Sequence, residues 1–206
     1  MNTATRSYPV TLKGELTIPP SRWLWLFKWL LALPHYLLLI PLWITFFFGC
    51  VIAFFTILFK GKYPKSLFEF NAGILRWTWR VGFYSYQALG TDKYPPFGIN
   101  PNSDYPADIE ILYPEKLSRG LVLVKWWLLA IPHYIIVGIL LGGYGWGRVG
   151  LVTILAIIGA IVLLFTGKYP KDILKLVVGM NRWVYRVTAY VSLMTDVYPP
   201  FRLWDD

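Results

Sequence analysis

The chain has 206 residues, of which 56% are hydrophobic and 15% are charged, and its formal net charge is +9. In soluble domains roughly a quarter of all residues are charged, so this composition argues against an ordinary water-soluble domain and favours a lipid environment. Lys and Arg flank the apolar segments and form no separate polar basic domain. This placement argues against nucleic-acid binding and indicates an anionic membrane surface.

Residues 1–20 contain no continuous apolar stretch of the kind found in signal peptides, so we expect the N-terminus to stay in the cytoplasm. Residues 10–18 alternate apolar and polar side chains, as residues 107–113 do later in the chain, and this alternation predicts two short β-strands. Two strands alone are marginal in water, so we expect them to pair under the cover of helices or of a partner.

The first long apolar segment covers residues 23–59. As one straight helix it would be about 55 Å long, almost twice the roughly 30 Å hydrocarbon core of a bilayer. Basic residues flank both of its ends, and short basic flanks tend to stay cytoplasmic. We therefore predict a helical hairpin that turns near Pro41 to Thr45 and either crosses the membrane twice or dips into it and returns.

Residues 66–90 follow this segment and are predicted to form an amphipathic helix, because apolar and aromatic side chains recur every three or four positions. Glu69, Arg76 and Arg80 interrupt the apolar pattern. Three ionisable groups make a membrane-spanning helix costly, so we expect this helix to lie in the membrane interface.

The second half of the chain repeats the motifs of the first half in the same order. Three motifs occur twice: Pro-His-Tyr at 34–36 and 132–134, Gly-Lys-Tyr-Pro-Lys at 61–65 and 167–171, and Thr-Asp-x-Tyr-Pro-Pro-Phe at 91–97 and 195–201. The duplication predicts a first repeat over 1–101 and a second over 102–206. In the second repeat we expect a hairpin over 121–165 and an amphipathic helix over 172–194.

These motifs resemble those of a family of bacterial membrane proteins built on a duplicated domain of unknown function. The resemblance covers both halves of the chain. It implies a membrane location, and it implies no catalytic activity, because no established activity of the family can be assigned to residues of this chain.

The sequence thus predicts a mainly α membrane protein of two tandem repeats, each with a short strand, a hydrophobic helical hairpin and an amphipathic interfacial helix. Because each hairpin returns the chain to its starting side, we expect the two repeats to share one orientation, with a pseudo-two-fold axis along the membrane normal. The expected location is the plasma membrane, the inner membrane of a bacterium, with several crossings and both termini in the cytoplasm.

The strongest functional candidate in the sequence is a basic collar that follows each predicted hairpin. Such a collar suits anionic lipid headgroups, although retention of the loops by positive charge explains it equally well. Its members are Lys62, Lys65, Arg76, Arg80, Lys168, Lys171, Arg182 and Arg186.

The remaining repeated polar residues are interpreted as structural. The two histidines lack a carboxylate in the apolar segments, so they are too few for a closed zinc site, and the single cysteine excludes an intrachain disulfide. We expect the prolines to kink a helix whose freed backbone a His or Tyr satisfies, and we expect the aspartates to cap turns. These residues are Pro34, His35, Tyr36, Asp92, Pro132, His133, Tyr134 and Asp196.

The leading functional hypothesis is a non-enzymatic accessory or scaffold subunit at anionic lipid, without metal or cofactor, that works alone, as a homo-oligomer or with a membrane-protein partner. The main alternative is a small transporter or channel subunit. Its pathway would have to use the few polar groups of the apolar segments, namely Lys28, Thr45, Thr56, Lys125 and Thr153. A lipid-modifying enzyme with His35 or His133 as general base is the third hypothesis.

Overall fold

The computed structural model describes residues 8–143 and 149–204, so residues 144–148 of the predicted second hairpin lie outside the described residues. The fold is mainly helical with one small sheet. Its elements are β1 (Val10–Gly14), a 3-10 turn (Leu24–Leu26), α1 (Lys28–Leu31), α2 (Leu33–Lys60), α3 (Lys65–Tyr84), β2 (Ala107–Ile111), α4 (Leu121–Val124), a π-helical turn (Lys125–Leu129), α5 (Ile131–Leu141), α6 (Leu151–Thr166) and α7 (Lys171–Val191).

The two predicted strands form an antiparallel pair, in which Leu12 lies opposite Ile109. These two residues occupy the same position in their repeats, and the pairing is symmetric on either side of them, with Val10 opposite Ile111 and Gly14 opposite Ala107. A register of this kind arises when two equivalent strands are related by a two-fold rotation. The sheet therefore marks a pseudo-two-fold axis between the repeats.

The long amphipathic helices α3 and α7 cross each other on the same axis. Trp79 and Tyr185 hold equivalent positions, and their rings lie 5.6 Å apart at an angle of 67°. The first half of α7 lies beside the end of α3. The Tyr169 hydroxyl donates to the Ala88 carbonyl at 2.8 Å, and Asn181 Nδ2 donates to the Gln87 carbonyl at 3.1 Å. The two helices therefore run antiparallel.

Each strand packs on the amphipathic helix of the other half, β1 on α7 and β2 on α3. The two repeats are thus interlocked, and both contribute to the main hydrophobic core. We expected both amphipathic helices to lie in the membrane interface, but most of their residues are buried inside the protein. The reason is that the sheet covers one side of them and the apolar helices cover the other.

The predicted hairpin over 23–59 is wrong, because α2 is one helix of 28 residues that contains Pro41 and Thr45. The chain breaks earlier, at Ala32, which separates α1 from α2. Pro34 lies in the first turn of α2, where a missing backbone N–H costs nothing, so the predicted kink takes the form of a break directly before the helix. At about 42 Å, α2 exceeds the length of a normal membrane span.

In the second repeat, α5 and α6 together take the place of α2. The repeat offset grows by eight residues between the Pro-His-Tyr and Gly-Lys-Tyr-Pro motifs, so the chain carries an insertion there. A Cβ added to Gly150 would lie 2.3 Å from the Leu140 carbonyl oxygen, which shows that α6 begins beside the end of α5. The predicted second hairpin is therefore an interrupted helix, preceded by a 46° bend between residues 129 and 131.

One straight helix of the described part, α2, is long and apolar enough to cross a membrane. The segment 121–141 passes the same test only if its bent halves count as one span, and α6 is shorter. Only 22% of the most apolar window of α2 is buried. A core helix of a soluble protein would be mostly covered, so the exposure of α2 calls for a different explanation.

Candidate functional site

A broad apolar surface covers one side of the molecule. It is formed by outward-facing side chains of α1, α2, α5 and α6, of which many are more than half exposed. Among the most exposed are Leu37, Ile40, Phe47, Phe48, Phe59, Ile135, Ile139 and Phe165. Contiguous apolar surface of this extent marks a contact with lipid or with a partner.

The two apolar helical paths run antiparallel beneath the central helices. The side chain of Arg119, just before α4, lies 3.5 Å from a Cβ built on Gly61, at the end of α2. In the same way, the side chain of Arg22 lies against Gly167, at the end of α6. Each path therefore begins where the other ends, and both helices end in a left-handed glycine, with φ of 69° and 74°.

The opposite side of the molecule is polar. The inner face of the sheet packs Leu12 and Ile109 against the central helices, whereas its outer face exposes Lys13 and Glu110. From one end of the pseudo-two-fold axis to the other, the order is a charged sheet, two central helices and two apolar helical paths. The polarity of the molecule thus follows its symmetry axis.

The basic collar predicted from sequence separates into two sets. Lys62, Lys65, Lys168 and Lys171 are exposed, at the turns that join α2 to α3 and α6 to α7. Arg80 and Arg186 are 1% and 0% exposed, and Arg76 and Arg182 are half-buried. The four arginines therefore do not form a surface collar.

The arginines instead bind the segments that return over the central helices. Arg76 and Arg80 donate to the carbonyls of Ile99 and Asn100 at 2.9 Å each, and both approach the Asp108 carboxylate, at 3.1 and 3.4 Å. Burial lowers the pKa of Arg80, an effect that Asp108 opposes. In the second repeat, Arg182 and Arg186 donate to the carbonyls of two residues near the C-terminus, Leu203 and Arg202, at 3.1 Å each.

Sequence reasoning missed the arginines that join the exposed lysines. Arg119 is exposed beside Gly61 and the neighbouring Lys62, and Arg22 is exposed beside Gly167. Each end of the molecule therefore combines cations from both repeats. The repeated Ser-Arg dipeptide at 21–22 and 118–119 was the available signal, but only the antiparallel arrangement brings it to the end of the other helix.

A buried lysine joins the start and the end of each repeat. Lys28 Nζ contacts Asp92 Oδ1 at 2.9 Å and donates to the Thr91 carbonyl at 2.6 Å, above the Tyr84 ring at 4.9 Å. Burial lowers the pKa of Lys28 against the opposing effect of Asp92, and burial also raises the pKa of Tyr84 to about 12. This interaction was not foreseen from the sequence.

The second repeat builds the same ion pair. Lys125 Nζ lies 2.7 Å from Asp196 Oδ1 and 3.0 Å from the Thr195 carbonyl. The predicted turn cap is supplied by the neighbouring threonine, because Thr195 Oγ1 accepts from the Val197 N–H at 3.1 Å, as Thr91 Oγ1 does from Lys93. The two aspartates instead bind residues that are distant in the chain. Asp92 accepts from the backbone N–H of Ser21, and Asp196 accepts from that of Ser118.

Each histidine is surrounded by three aromatic rings, a group that we call its aromatic box. His35 stacks on Phe97 with ring centres 4.1 Å apart, and its Nδ1 accepts from Trp77 Nε1 at 3.0 Å. Accepting at Nδ1 makes the imidazole neutral, with its proton on Nε2. The Tyr94 hydroxyl donates to the Leu31 carbonyl at 3.0 Å and so satisfies backbone just before Pro34.

The box of His133 repeats this geometry. Its ring stacks on Phe201 with centres 4.5 Å apart, its Nδ1 accepts from Trp183 at 3.1 Å, and the Tyr198 hydroxyl donates to the Leu129 carbonyl at 3.1 Å. Both imidazoles are 0% exposed. A tyrosine of the Tyr-Pro-Pro-Phe motif thus satisfies the backbone, whereas Tyr36 and Tyr134 donate to Ser85 and to the Trp126 carbonyl. Among residues 8–143 and 149–204, no three His, Cys, Asp or Glu side chains are grouped to hold a metal ion.

Comparison with known families finds the same duplication. A family model described as "Domain of unknown function (DUF4389)" matches residues 22–98 and again residues 122–202. Because the two matches together cover more than half of the chain, the protein belongs to this family, as a tandem pair of its domain. No curated protein and no solved structure matches the chain.

Proposed function

We propose that the protein is a membrane-bound, non-enzymatic scaffold or accessory subunit that lies on an anionic membrane surface. Its apolar helices would rest in one leaflet, parallel to the membrane plane, and its sheet would face the cytoplasm. The observation that carries this proposal is the polarity of the molecule along its pseudo-two-fold axis. A helix with one apolar side sinks about 5 to 10 Å into the boundary between headgroups and acyl chains.

A spanning orientation is less favourable for electrostatic reasons. The pseudo-two-fold axis relates two antiparallel helical paths, α2 and α5–α6, so it is roughly perpendicular to both. If α2 crossed the bilayer, this axis would therefore lie in the membrane plane. The sheet would then sit beside hydrocarbon, with Lys13 and Glu110 exposed to lipid at a cost of about 3 kcal/mol for each charge near the midplane. Turning the axis along the membrane normal removes this cost and supports the in-plane arrangement.

The exposed cations support an anionic surface as the partner. In the in-plane arrangement, the two ends of the molecule are level with each other, so Lys62 and Lys168 approach the same headgroup layer. Each Lys or Arg near an anionic surface contributes about 1 kcal/mol to binding. Aromatic side chains of the lead-in segments, which precede α2 and α5 at residues 21–32 and 118–130, suit the headgroup boundary. Trp23, Trp29 and Trp126 among them are exposed.

The two alternative functions find less support. A transport pathway would need available polar groups, but Lys28 and Lys125 are held in ion pairs, and the hydroxyls of Thr45 and Thr56 donate to carbonyls of their own helix at 2.9 and 2.6 Å. A lipid-modifying enzyme would need an accessible base, but His35 and His133 are enclosed by aromatic rings.

The experiment measures the partition of the detergent-purified protein into vesicles of phosphatidylcholine with and without phosphatidylglycerol. Replacing Lys62, Lys65, Lys168 and Lys171 together by Gln should weaken binding to the anionic vesicles about tenfold or more and leave binding to neutral vesicles unchanged. The control replaces two exposed lysines outside the two turns, Lys13 and Lys93, by Gln. Equal losses in both variants, or equal binding to both kinds of vesicle, would overturn the proposal.

A further inference from the structure

A cavity of about 420 Å³ opens beside the first half of α7. Its floor is apolar, with Leu16 from the segment after β1 and with Leu174 and Val178 from the helix. The indole of Trp204, which is 50% exposed, closes one side. This volume lies within the range of small-ligand sites, which are mostly apolar with a few charged groups.

The charged groups of the cavity are predominantly basic. Lys171 and Lys175 are exposed at its rim, and Arg182 lies half-buried in its wall, where the guanidinium donates to the carbonyls of Leu203 and Leu12 at 3.1 and 3.3 Å. Glu15 is the single carboxylate among the lining residues. The combination of an apolar floor and a basic rim is complementary to a molecule with an anionic head and a hydrocarbon part.

The equivalent space beside the first half of α3 is filled by side chains. Phe68 and Tyr113 hold the positions of Leu174 and Leu16, and their rings pack edge to face with centres 5.1 Å apart. Phe68 is 2% exposed, and the Tyr113 hydroxyl donates to the Tyr63 carbonyl at 2.6 Å. Two rings beside α3 thus correspond to two leucines and an open cavity beside α7.

Two charged positions differ in the same sense. Glu69 on the α3 side stands where the α7 side has Lys175, and Asp108, which pairs with Arg76, stands where the α7 side has Thr11. Glu15 opposes these two differences, because its equivalent on the α3 side is Leu112. The cavity is therefore a property of the side chains around α7, which come from both repeats.

We propose that this cavity binds an anionic amphiphile, a molecule that carries a phosphate group on a short hydrocarbon chain. Lys171, Lys175 and Arg182 hold the phosphate, and Leu16, Leu174, Val178 and Trp204 cover the hydrocarbon. The site shares Lys171 with the exposed lysines of the scaffold proposed above, but its apolar residues lie outside the apolar helices, so it adds a selective binding site to that scaffold. A membrane phospholipid and a free phosphate compound share the head chemistry, and the probes below distinguish them.

The test is calorimetric titration of the full chain in a neutral maltoside detergent with three probes: dihexanoyl phosphatidic acid, dihexanoyl phosphatidylcholine and inorganic phosphate. We expect saturable binding of the phosphatidic acid only. Equal binding of the zwitterionic phosphatidylcholine would overturn the proposal that the basic residues select an anionic head. Equal binding of inorganic phosphate would overturn the role of the apolar floor and assign the site to a free phosphate compound.

Two variants give the α7 side the residues of the equivalent positions around α3. Lys175→Glu should weaken phosphatidic acid binding about tenfold or more, because it replaces an attraction by a repulsion. Leu16→Tyr with Leu174→Phe should abolish binding by filling the cavity. Lys175 is exposed, so its replacement keeps the test decisive even where the double variant folds poorly.

The matched control is Lys65→Glu, at the first-repeat position equivalent to Lys171 and outside the cavity. It should keep phosphatidic acid binding and lose affinity for anionic vesicles, whereas Lys175→Glu should do the reverse. If Lys65→Glu weakened phosphatidic acid binding as much as Lys175→Glu, the cavity would not be the site. Failure of vesicle binding alone would contradict the scaffold proposal and leave the cavity result standing.

Discussion

The buried lysine of each repeat is the residue with the most demanding environment. Lys28 is 1% exposed, and its ammonium contacts the Asp92 carboxylate, the Thr91 carbonyl and the Tyr84 ring. A buried ion pair contributes little by itself, but removing one partner leaves the other charge uncompensated. The pair therefore fixes where the lead-in segment meets the end of its repeat.

Asp92→Asn removes the carboxylate and leaves the Lys28 ammonium buried. We expect it to lower the free energy of unfolding by about 3 kcal/mol, because breaking a buried pair carries a cost of this size. Lys28→Met in the Asp92→Asn background should recover much of this loss, since it removes the uncompensated charge. Thermal unfolding of the detergent-solubilised variants measures both. No recovery in the double variant would show that the two side chains are not coupled.

At this scale the repeated residues could be recognised from the sequence, but their contacts could not. Repetition of Pro-His-Tyr and Thr-Asp-x-Tyr-Pro-Pro-Phe predicted structural residues, and both motifs meet around His35 and His133. Lys28, the partner of Asp92, lies 64 positions away in the chain, and Asn100, a partner of Arg80, lies 20 positions away. Local spacing therefore contains no signal for these contacts. A residue's burial depends on those distant segments.

Helix α2 is the element that departs most from sequence expectation. Length and flanking charge favoured a hairpin, because both arguments assumed that the apolar segment crosses the membrane. The chain breaks at Ala32 and continues as one helix through Pro41, where the Thr45 hydroxyl donates to the Pro41 carbonyl at 2.9 Å. The amphipathic segments were located correctly, since side-chain periodicity depends on local backbone geometry alone.

Pro41→Ala distinguishes a continuous helix from a hairpin turn. Proline inside a helix removes a backbone hydrogen bond and costs up to about 3 kcal/mol, so its replacement should raise the midpoint of thermal unfolding. Pro34→Ala is the matched control, because Pro34 lies in the first turn, where proline is tolerated, and no gain is expected. A fall in the unfolding midpoint of Pro41→Ala would indicate that the proline is needed for a turn.

At the scale of the whole molecule, the duplication was visible in the sequence, and the symmetric pairing of Leu12 with Ile109 shows how the two copies are related. The sequence could not reveal that β1 packs on α7 and β2 on α3, because those contacts join opposite ends of the chain. It also could not separate exposed lysines from buried arginines in the basic collar. Both features follow from the antiparallel crossing of the central helices.

Single-cysteine labelling tests the in-plane arrangement most directly. In a Cys50→Ser background, cysteines replace Lys62 and Lys168, at the ends of the two antiparallel apolar paths, and a membrane-impermeant maleimide is added to intact cells and to inside-out vesicles. We expect both positions to label only in inside-out vesicles, because both ends lie on the cytoplasmic surface. Labelling of one position from the outside and of the other from the inside would show that the helices span the membrane and would contradict the account.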